Sequence, residues 1–187
     1  MDALKVTAGK PSFDGAINVA PIGTPLPTSA TATLDSAFQD MGFVADTGVV
    51  NSNTATTTAI KAWGGSTVLD VQTDKPDTFK TKFIEALNKN VLITVFGEDN
   101  VDGDLETGLT IKANSKELTP QSFVIDMMLS NGGVKRIVIP VGKVTSIADI
   151  NYTDNDAVGY EITLSAYPDE SGNTHYEYIL GEGEPTL

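Results

Sequence analysis

Two apolar runs within residues 123–141 are joined by the short segment "NGG" at 131–133. Glycine adopts positive φ without steric cost, so this segment predicts a tight turn between two antiparallel strands. Residues 158–180 repeat the pattern around "PDESG" at 168–172. Strands separated by turn signals at short spacing predict a mainly β (α+β) fold: a β-sandwich or partial barrel with one flanking α-helix and an extended N-terminal arm.

The flanking helix is predicted within residues 79–96, where apolar side chains recur at helical spacing. These side chains are Ile84, Leu87, Val91 and Val95. The end of this segment also alternates as a strand does. A second, short helix is predicted from Leu34 through Phe38 to Met41, with Gly42 as the residue that ends it.

Residues 1–30 are rich in Pro, Gly, Ser and Thr without sustained periodicity, which predicts an N-terminal arm ahead of a single domain over 31–187. The polar, Thr/Asn-rich segment 47–59 predicts a long exposed loop or hairpin. Two strands around a Gly-Gly turn are predicted within 60–73. Trp63, the only tryptophan, is predicted to be a packing anchor in the core or at an interface.

The chain is strongly acidic, with a formal net charge of −13 and a pI near 4.2. Nine of its 25 acidic residues, and none of its 12 basic ones, lie in residues 144–187. Such a balance opposes binding to nucleic acid through phosphates. The absence of cysteine excludes disulfides and thiolate metal sites, and the N-terminus lacks the apolar region of a signal peptide, so folding in a reducing cytoplasm is expected.

Five carboxylates crowd the segment "FGEDNVDGDLETG" at 96–108. They belong to Glu98, Asp99, Asp102, Asp104 and Glu106. An EF-hand calcium loop with Gly103 at its sixth position would require a carboxylate at its twelfth, which is Leu109 here. The sequence therefore predicts an acidic surface loop and no bound metal.

Catalytic patterns are missing. His175, the only histidine, falls in a predicted turn, where an exposed side chain is expected. No nucleophile-elbow motif and no phosphate-binding loop occur in the sequence. The chain is therefore predicted to be neither an enzyme nor a cofactor-binding protein.

Several segments, in their order along the chain, resemble the major tail protein, the tail tube subunit of long non-contractile-tailed phages (siphoviruses). They are "LPTSATATLDSAFQDMGFVADTGV" (26–49), "IKAWGGSTVLDVQTDKPDTF" (60–79), "IEALNKNVLITVFGEDNV" (84–101), "ANSKELTPQSF" (113–123), "GGVKRIVIPVGKVTSIADINY" (132–152) and "GYEITLSAYPDESGNTHYEYI" (159–179). The A-W-G-G turn before a strand, followed by "EALN…VLITVFG", is the most telling piece. Order and coverage, rather than one strict motif, make the resemblance specific.

The resemblance implies a structural role in a virion tail. Six subunits would close into a ring, and rings would stack into a tube around the tape measure protein. Partners would be further copies of the chain and other tail proteins, with DNA passing through the lumen without specific binding and with no membrane involved. Assembly would take place in the host cytoplasm.

Within such a tube, an acidic wall would keep DNA from adhering, because phosphates bind cationic surfaces. The acidic loop is therefore assigned to the lumen or to another charged surface. The arm 1–30 and the loop 47–59 are assigned to contacts between subunits and rings. Candidate stacking contacts are Thr47, Asn51, Asn53 and Thr56.

Two other classes share the acidity and the lack of catalytic motifs. A capsid decoration protein, or another β-rich virion protein, would need no narrow pore. A secreted carbohydrate-binding or adhesin domain is opposed by the missing signal peptide and by an aromatic content of only 7%.

Overall fold

A computed structural model of the chain describes residues 5–12 and 16–181. These residues contain thirteen strands and one α-helix, α1 (Lys89–Phe96). The strands are β1 (Gly9–Pro11), β2 (Ile17–Pro21), β3 (Gln39–Asp40), β4 (Val44–Asn53), β5 (Thr56–Lys61), β6 (Thr67–Asp74), β7 (Asp77–Phe83), β8 (Val101–Asp104), β9 (Gly108–Ile111), β10 (Gln121–Leu129), β11 (Val134–Ile147), β12 (Tyr160–Tyr167) and β13 (Tyr176–Leu180). No helix in the described ranges is long and apolar enough to cross a bilayer.

Nine strands form one antiparallel sheet in the order β3-β2-β10-β11-β12-β7-β4, with β1 also paired to β10 and β13 to β11. Two hairpins, β5–β6 and β8–β9, stand outside this sheet. The sheet curves over itself, because Ile17 of β2, Phe123 of β10 and Phe79 of β7 line the same small internal cavity. This arrangement confirms the predicted mainly β, sandwich-like fold with one helix.

The main core lies on the inner face of the curved sheet. Alternate residues of β7 and β12 are buried there, as expected for strands with one face in the core. Helix α1 adds Val91, Leu92 and Val95 to this core. Its first turn is capped by Asn88, whose side-chain oxygen accepts a hydrogen bond from the Asn90 amide at 3.0 Å.

The outer face of β2, β10 and β11 is covered by residues 22–38, here called the outer segment, which form a second, smaller cluster with those strands. Arg136 fastens this segment to the sheet. Its guanidinium forms a two-pronged ion pair with Asp126, at 2.6 and 2.9 Å, and donates to the carbonyls of Ser29 and Ala32 at 3.2 and 2.5 Å. Bidentate pairing of this kind fixes geometry as well as charge.

The prediction of a short helix over residues 34–41 is wrong. Asp35 instead closes a turn by accepting from the Ala37 amide, and β3 follows at once, paired with β2. The apolar spacing arises because Phe38 packs on the outer face of the sheet, whereas Met41 is buried in the inner core. Apolar residues that pack into two different cores can therefore have the same spacing as the apolar face of a single helix.

Much of the predicted arm belongs to the β domain. Strand β2 lies between β3 and β10, and its Ile17, Val19 and Ala20 are buried. The described part of residues 1–30 therefore contributes two strands rather than a free extension. Residues 1–4 and 13–15 of the predicted arm lie outside the described residues.

The predictions for residues 47–59 and 79–96 are wrong in part. A single loop does not cover 47–59: β4 runs through Asn53, and β5 begins at Thr56. Residues 79–83 are the end of β7, and α1 begins only at Lys89. Val91 and Val95 are buried as predicted, whereas Leu87 precedes the helix and is exposed.

The turn at 131–133 is confirmed, with Gly132 at a φ of 83° between β10 and β11. The turn at 168–172 is also present, with Gly172 at a φ of 81°. However, β12 and β13 do not pair with each other. Both pair with the long strand β11, β12 over residues 141–147 and β13 over residues 134–138.

Candidate assembly surface

The β5–β6 hairpin projects from the domain. Every residue of both strands is exposed, and β5 and β6 pair only with each other. At its tip the Ala62 amide donates to the Ser66 carbonyl at 2.8 Å and the Gly65 amide donates to the Ala62 carbonyl at 3.0 Å. Gly64 and Gly65 have φ values of 104° and 93°, which explains the Gly-Gly pair of the A-W-G-G motif.

Trp63 lies at this tip with its whole side chain exposed. The prediction that it packs in the core of the chain is wrong, because the hairpin stands away from that core. The prediction that it anchors an interface stays a prediction. Other large apolar side chains of the hairpin are also exposed, namely Ile60, Val68, Leu69 and Val71. Ile60, Leu69 and Val71 share one face of the hairpin, because Ile60 pairs with Leu69 and side chains alternate along a strand, whereas Val68 lies on the other face. Exposed apolar side chains grouped in this way make the hairpin a candidate for contact with another chain.

The candidate stacking residues do not share one loop. Thr47 is exposed in an irregular part of β4, between the paired residues Val44 and Val49. Asn51 donates to the Asp77 carboxylate at 2.8 Å, so its amide is held within the subunit. Asn53 ends β4, and Thr56 begins the projecting hairpin.

The acidic segment forms one turn of 3₁₀ helix, Glu98–Asn100, followed by the β8–β9 hairpin. All five carboxylate-bearing residues are exposed. Asp102 forms an ion pair with Lys112 at 2.7 Å. Asp104 accepts hydrogen bonds from the Thr107 hydroxyl at 2.7 Å and from the amides of Glu106 and Thr107 at 3.0 and 2.7 Å.

These contacts lower two carboxyl pKa values. The hydrogen bond and charge of Lys112 lower the pKa of Asp102 below its ordinary value. Hydrogen bonds from Thr107 do the same for the pKa of Asp104, which therefore stabilises the hairpin turn. No group of three or more His, Asp or Glu side chains in residues 5–12 and 16–181 is placed to hold a metal ion.

We expect calcium to leave the thermal stability of the protein nearly unchanged. At constant ionic strength, moving from excess chelator to millimolar calcium should shift the unfolding temperature by at most about 1–2 °C, because screening is the only effect available to dispersed surface carboxylates. Differential scanning calorimetry measures this shift. A rise of about 10 °C that disappears in Asp102→Ala would instead reveal a bound ion.

A buried polar cluster, not predicted from the sequence, joins β7 to the chain ahead of β13. The Asp77 carboxylate is almost fully buried. It accepts from the Asn51 amide at 2.8 Å, the Thr174 hydroxyl at 2.6 Å and His175 Nδ1 at 2.5 Å. The His175 ring also meets Phe79 edge-on, with centroids 5.3 Å apart. The prediction of an exposed histidine is therefore wrong.

Burial by itself would raise the pKa of Asp77, but hydrogen bonds from Thr174, Asn51 and His175 outweigh it and lower that pKa. Thr174 and His175 both contact the same carboxylate oxygen, Oδ2. The threonine is thus not aligned for activation by the imidazole, as a hydroxyl nucleophile would have to be. The cluster ties separate chain segments together.

A curved β domain with a projecting apolar hairpin has the architecture of a structural subunit that contacts other chains. The family model described as phage tail tube protein matches residues 6–185, and the chain belongs to that family. Comparison with curated protein sequences gives no match. The chain is accordingly a structural subunit of a phage tail tube, located in the virion tail, and the family implies self-assembly together with other tail components.

Proposed function

We propose that six copies of the chain close into a ring and that rings stack into a tube around the tape measure protein, with DNA later passing through the lumen. The match to the tail tube family over residues 6–185 carries this proposal, because it spans nearly the whole chain. Assembly in the host cytoplasm, before the virion is released, belongs to the same proposal.

Ring closure requires two different surfaces of the subunit to meet head to tail. The open sheet supplies candidates, since it ends in β3 on one side and β4 on the other. The second half of β4, residues 50–53, is exposed. Edge strands with unpaired backbone groups readily accept another chain. These edges therefore support contacts between neighbours in a ring.

The charge of the subunit suits a lumen that DNA must cross without adhering. Six copies at −13 each would bring −78 to a ring. Six of the 12 basic side chains are held in ion pairs with carboxylates, which reduces the number of cations available for phosphates. These six are Lys80, Lys82, Lys112, Lys135, Arg136 and Lys143. The acidic segment, with Glu98 and Asp99 in its 3₁₀ turn and Glu106 in the β8–β9 hairpin, is a candidate lumen surface.

The β5–β6 hairpin supports stacking between rings, because it reaches beyond the domain that would form the ring. Of the candidate stacking residues, Asn53 and Thr56 lie at its base. Thr47 lies farther along β4, and the Asn51 amide is engaged by Asp77, so we assign the contact to the hairpin and its tip.

Electron microscopy of the purified protein tests this function. We expect tubes with a central channel and six-fold end views. A variant in which residues 57–73 are replaced by a short Gly-Ser turn should remain folded but form no long tubes, because it lacks the projecting contact. Glu170→Ala, in an exposed turn, is the matched control and should form normal tubes.

Monomers, or knobs that bind only to capsids, would contradict the proposal and favour a decoration protein. If the shortened variant formed tubes of normal length, the proposed tube function would stand, but the proposed role of the hairpin in stacking would be contradicted. Circular dichroism of each variant shows whether the fold is kept.

A further inference from the structure

The projecting hairpin and an exposed apolar groove lie at opposite ends of strand β7. The register of β4 and β7 pairs Asn53 with Asp77 at one end and Val44 with Phe83 at the other. The hairpin leaves the sheet at the Asn53/Asp77 end. The groove begins directly after Phe83, about 20 Å away for a strand of this length.

The groove is built from three chain segments. It is shallow and open, with a volume of about 550 Å³, and is lined by residues 84–88, by Leu105 in the turn of the β8–β9 hairpin and by residues 157–158. Two large side chains in it are mainly exposed, Leu87 at 67% and Leu105 at 64%. Ala157 and Val158 extend the apolar lining. Within a single subunit nothing described covers these side chains.

Charge favours contact between the two ends. Lys61 is exposed two residues before Trp63 and, in the described part of the chain, makes no ion pair. Glu106 and Asp156 flank the groove as direct neighbours of Leu105 and Ala157. Glu106 is exposed. The Asp156 carboxylate accepts a hydrogen bond from the Ala157 amide at 2.8 Å, and its ion pair with Lys82 is long, at 3.6 Å. A cation beside the tip thus complements carboxylates beside the groove.

We propose that the hairpin tip of one copy docks in this groove of a second copy, with Trp63 against Leu87 and Leu105 and with Lys61 facing Glu106 and Asp156. This contact rests on the proposed tube and specifies the surfaces that join successive rings. Trp63 cannot reach the groove of its own subunit, because tip and groove lie at opposite ends of β7. Each copy presents one tip and one groove, so the contact repeats head to tail along the strand direction.

Site-specific cross-linking tests the contact, and the absence of native cysteine makes every introduced thiol unique. Ala62→Cys places a thiol beside Trp63, and Ala157→Cys places one in the groove. We expect a mixture of these two variants to yield a covalent dimer with a short bis-maleimide linker, whereas neither variant alone does so. A mixture of Ala62→Cys with Ile22→Cys, an exposed position outside the groove, is the matched control.

Charge reversal supplies a second measurement. In the same cross-linking pair, Lys61→Glu should reduce the dimer yield at least about threefold, and adding Glu106→Lys to the groove-bearing partner should restore most of it. Trp63→Ala should abolish the linkage without changing the unfolding temperature, since the side chain is fully exposed in the subunit.

Three outcomes separate this contact from the proposed function. Tubes without linkage between positions 62 and 157 would overturn the docking contact alone. Equal cross-linking of position 62 to position 22 would also overturn it, because the hairpin tip would then have no specific binding site. Absence of both tubes and linkage would overturn the tube function as well.

Discussion

Deleting residues 1–25 should prevent the protein from folding. The deletion removes β2, which lies between β3 and β10 and places Ile17 and Val19 in the main core. Burial of each such side chain stabilises the fold by about 1.5–3 kcal/mol. Loss of these side chains, together with the backbone pairing of β2, is comparable with the whole stability of a domain, about 5–15 kcal/mol.

A deletion of residues 1–6 is the matched control, because it keeps β1 and β2. We expect this shorter protein to be soluble, with a cooperative thermal transition close to that of the full chain. The longer deletion should be insoluble or should lack a cooperative transition by circular dichroism. A soluble, cooperatively folding chain without residues 1–25 would show that β2 is dispensable and that this segment acts as an arm.

The role of β2 shows where sequence reasoning failed. Its pairing partner is β10, so Ile17 lies opposite Ile125, more than one hundred residues away. Within residues 1–30 the short apolar run of β2 is flanked by Pro, Gly and Thr, and these flanking turn signals indicate an irregular segment. The turn at 131–133 was predicted correctly because all of its determinants, two glycines and two apolar runs, are local.

The presence of helix α1 could also be predicted, because its apolar spacing is local in sequence, but the residue at which it begins could not. Val91 and Val95 are truly one turn apart and buried. Phe79 and Phe83 are equally buried, yet they are alternate residues of β7. A spacing of four residues is compatible with both a helix and a strand. The signal that distinguishes α1 from β7 is Asn88, which caps the first turn of the helix.

Contact residues were the hardest to predict, because exposure depends on the whole fold. Trp63 is a large aromatic residue of a type that is often buried, but the turn formed with Gly64 and Gly65 places it at the exposed tip of a hairpin. His175 has a turn-like sequence around it, but Asp77, nearly one hundred residues earlier, draws it inward. The acidic residues at 98–106 are exposed, since a dense run of carboxylates without bases seldom enters a core, and their place in a lumen stays a prediction.

The second large effect is expected for Asp77→Ala. Its carboxylate joins β4, β7 and the chain before β13 through Asn51, Thr174 and His175. Removing it leaves these donors without their acceptor, which should cost about 3 kcal/mol of unfolding free energy at pH 7. For a chain of this size that corresponds to a decrease of about 6–12 °C in the unfolding temperature.

Glu170→Ala is the matched control for this variant as well. Glu170 is an exposed carboxylate in the neighbouring turn, and in the described part of the chain it makes no ion pair. Its removal should change the unfolding free energy by no more than about 0.5 kcal/mol. Urea denaturation of wild type and both variants measures these differences.

Acid should reduce the difference between wild type and Asp77→Ala. The pKa of Asp77 is lowered from 3.8 in the folded protein, so its ionisation contributes stability that is fully present above that value. This contribution is lost as the pH falls through the lowered pKa, since the folded state must then take up a proton that the unfolded state already holds. The difference should therefore become smaller as the pH falls below 3.8. A difference that stays constant or grows in acid would show that the ionised carboxylate is not what stabilises the cluster.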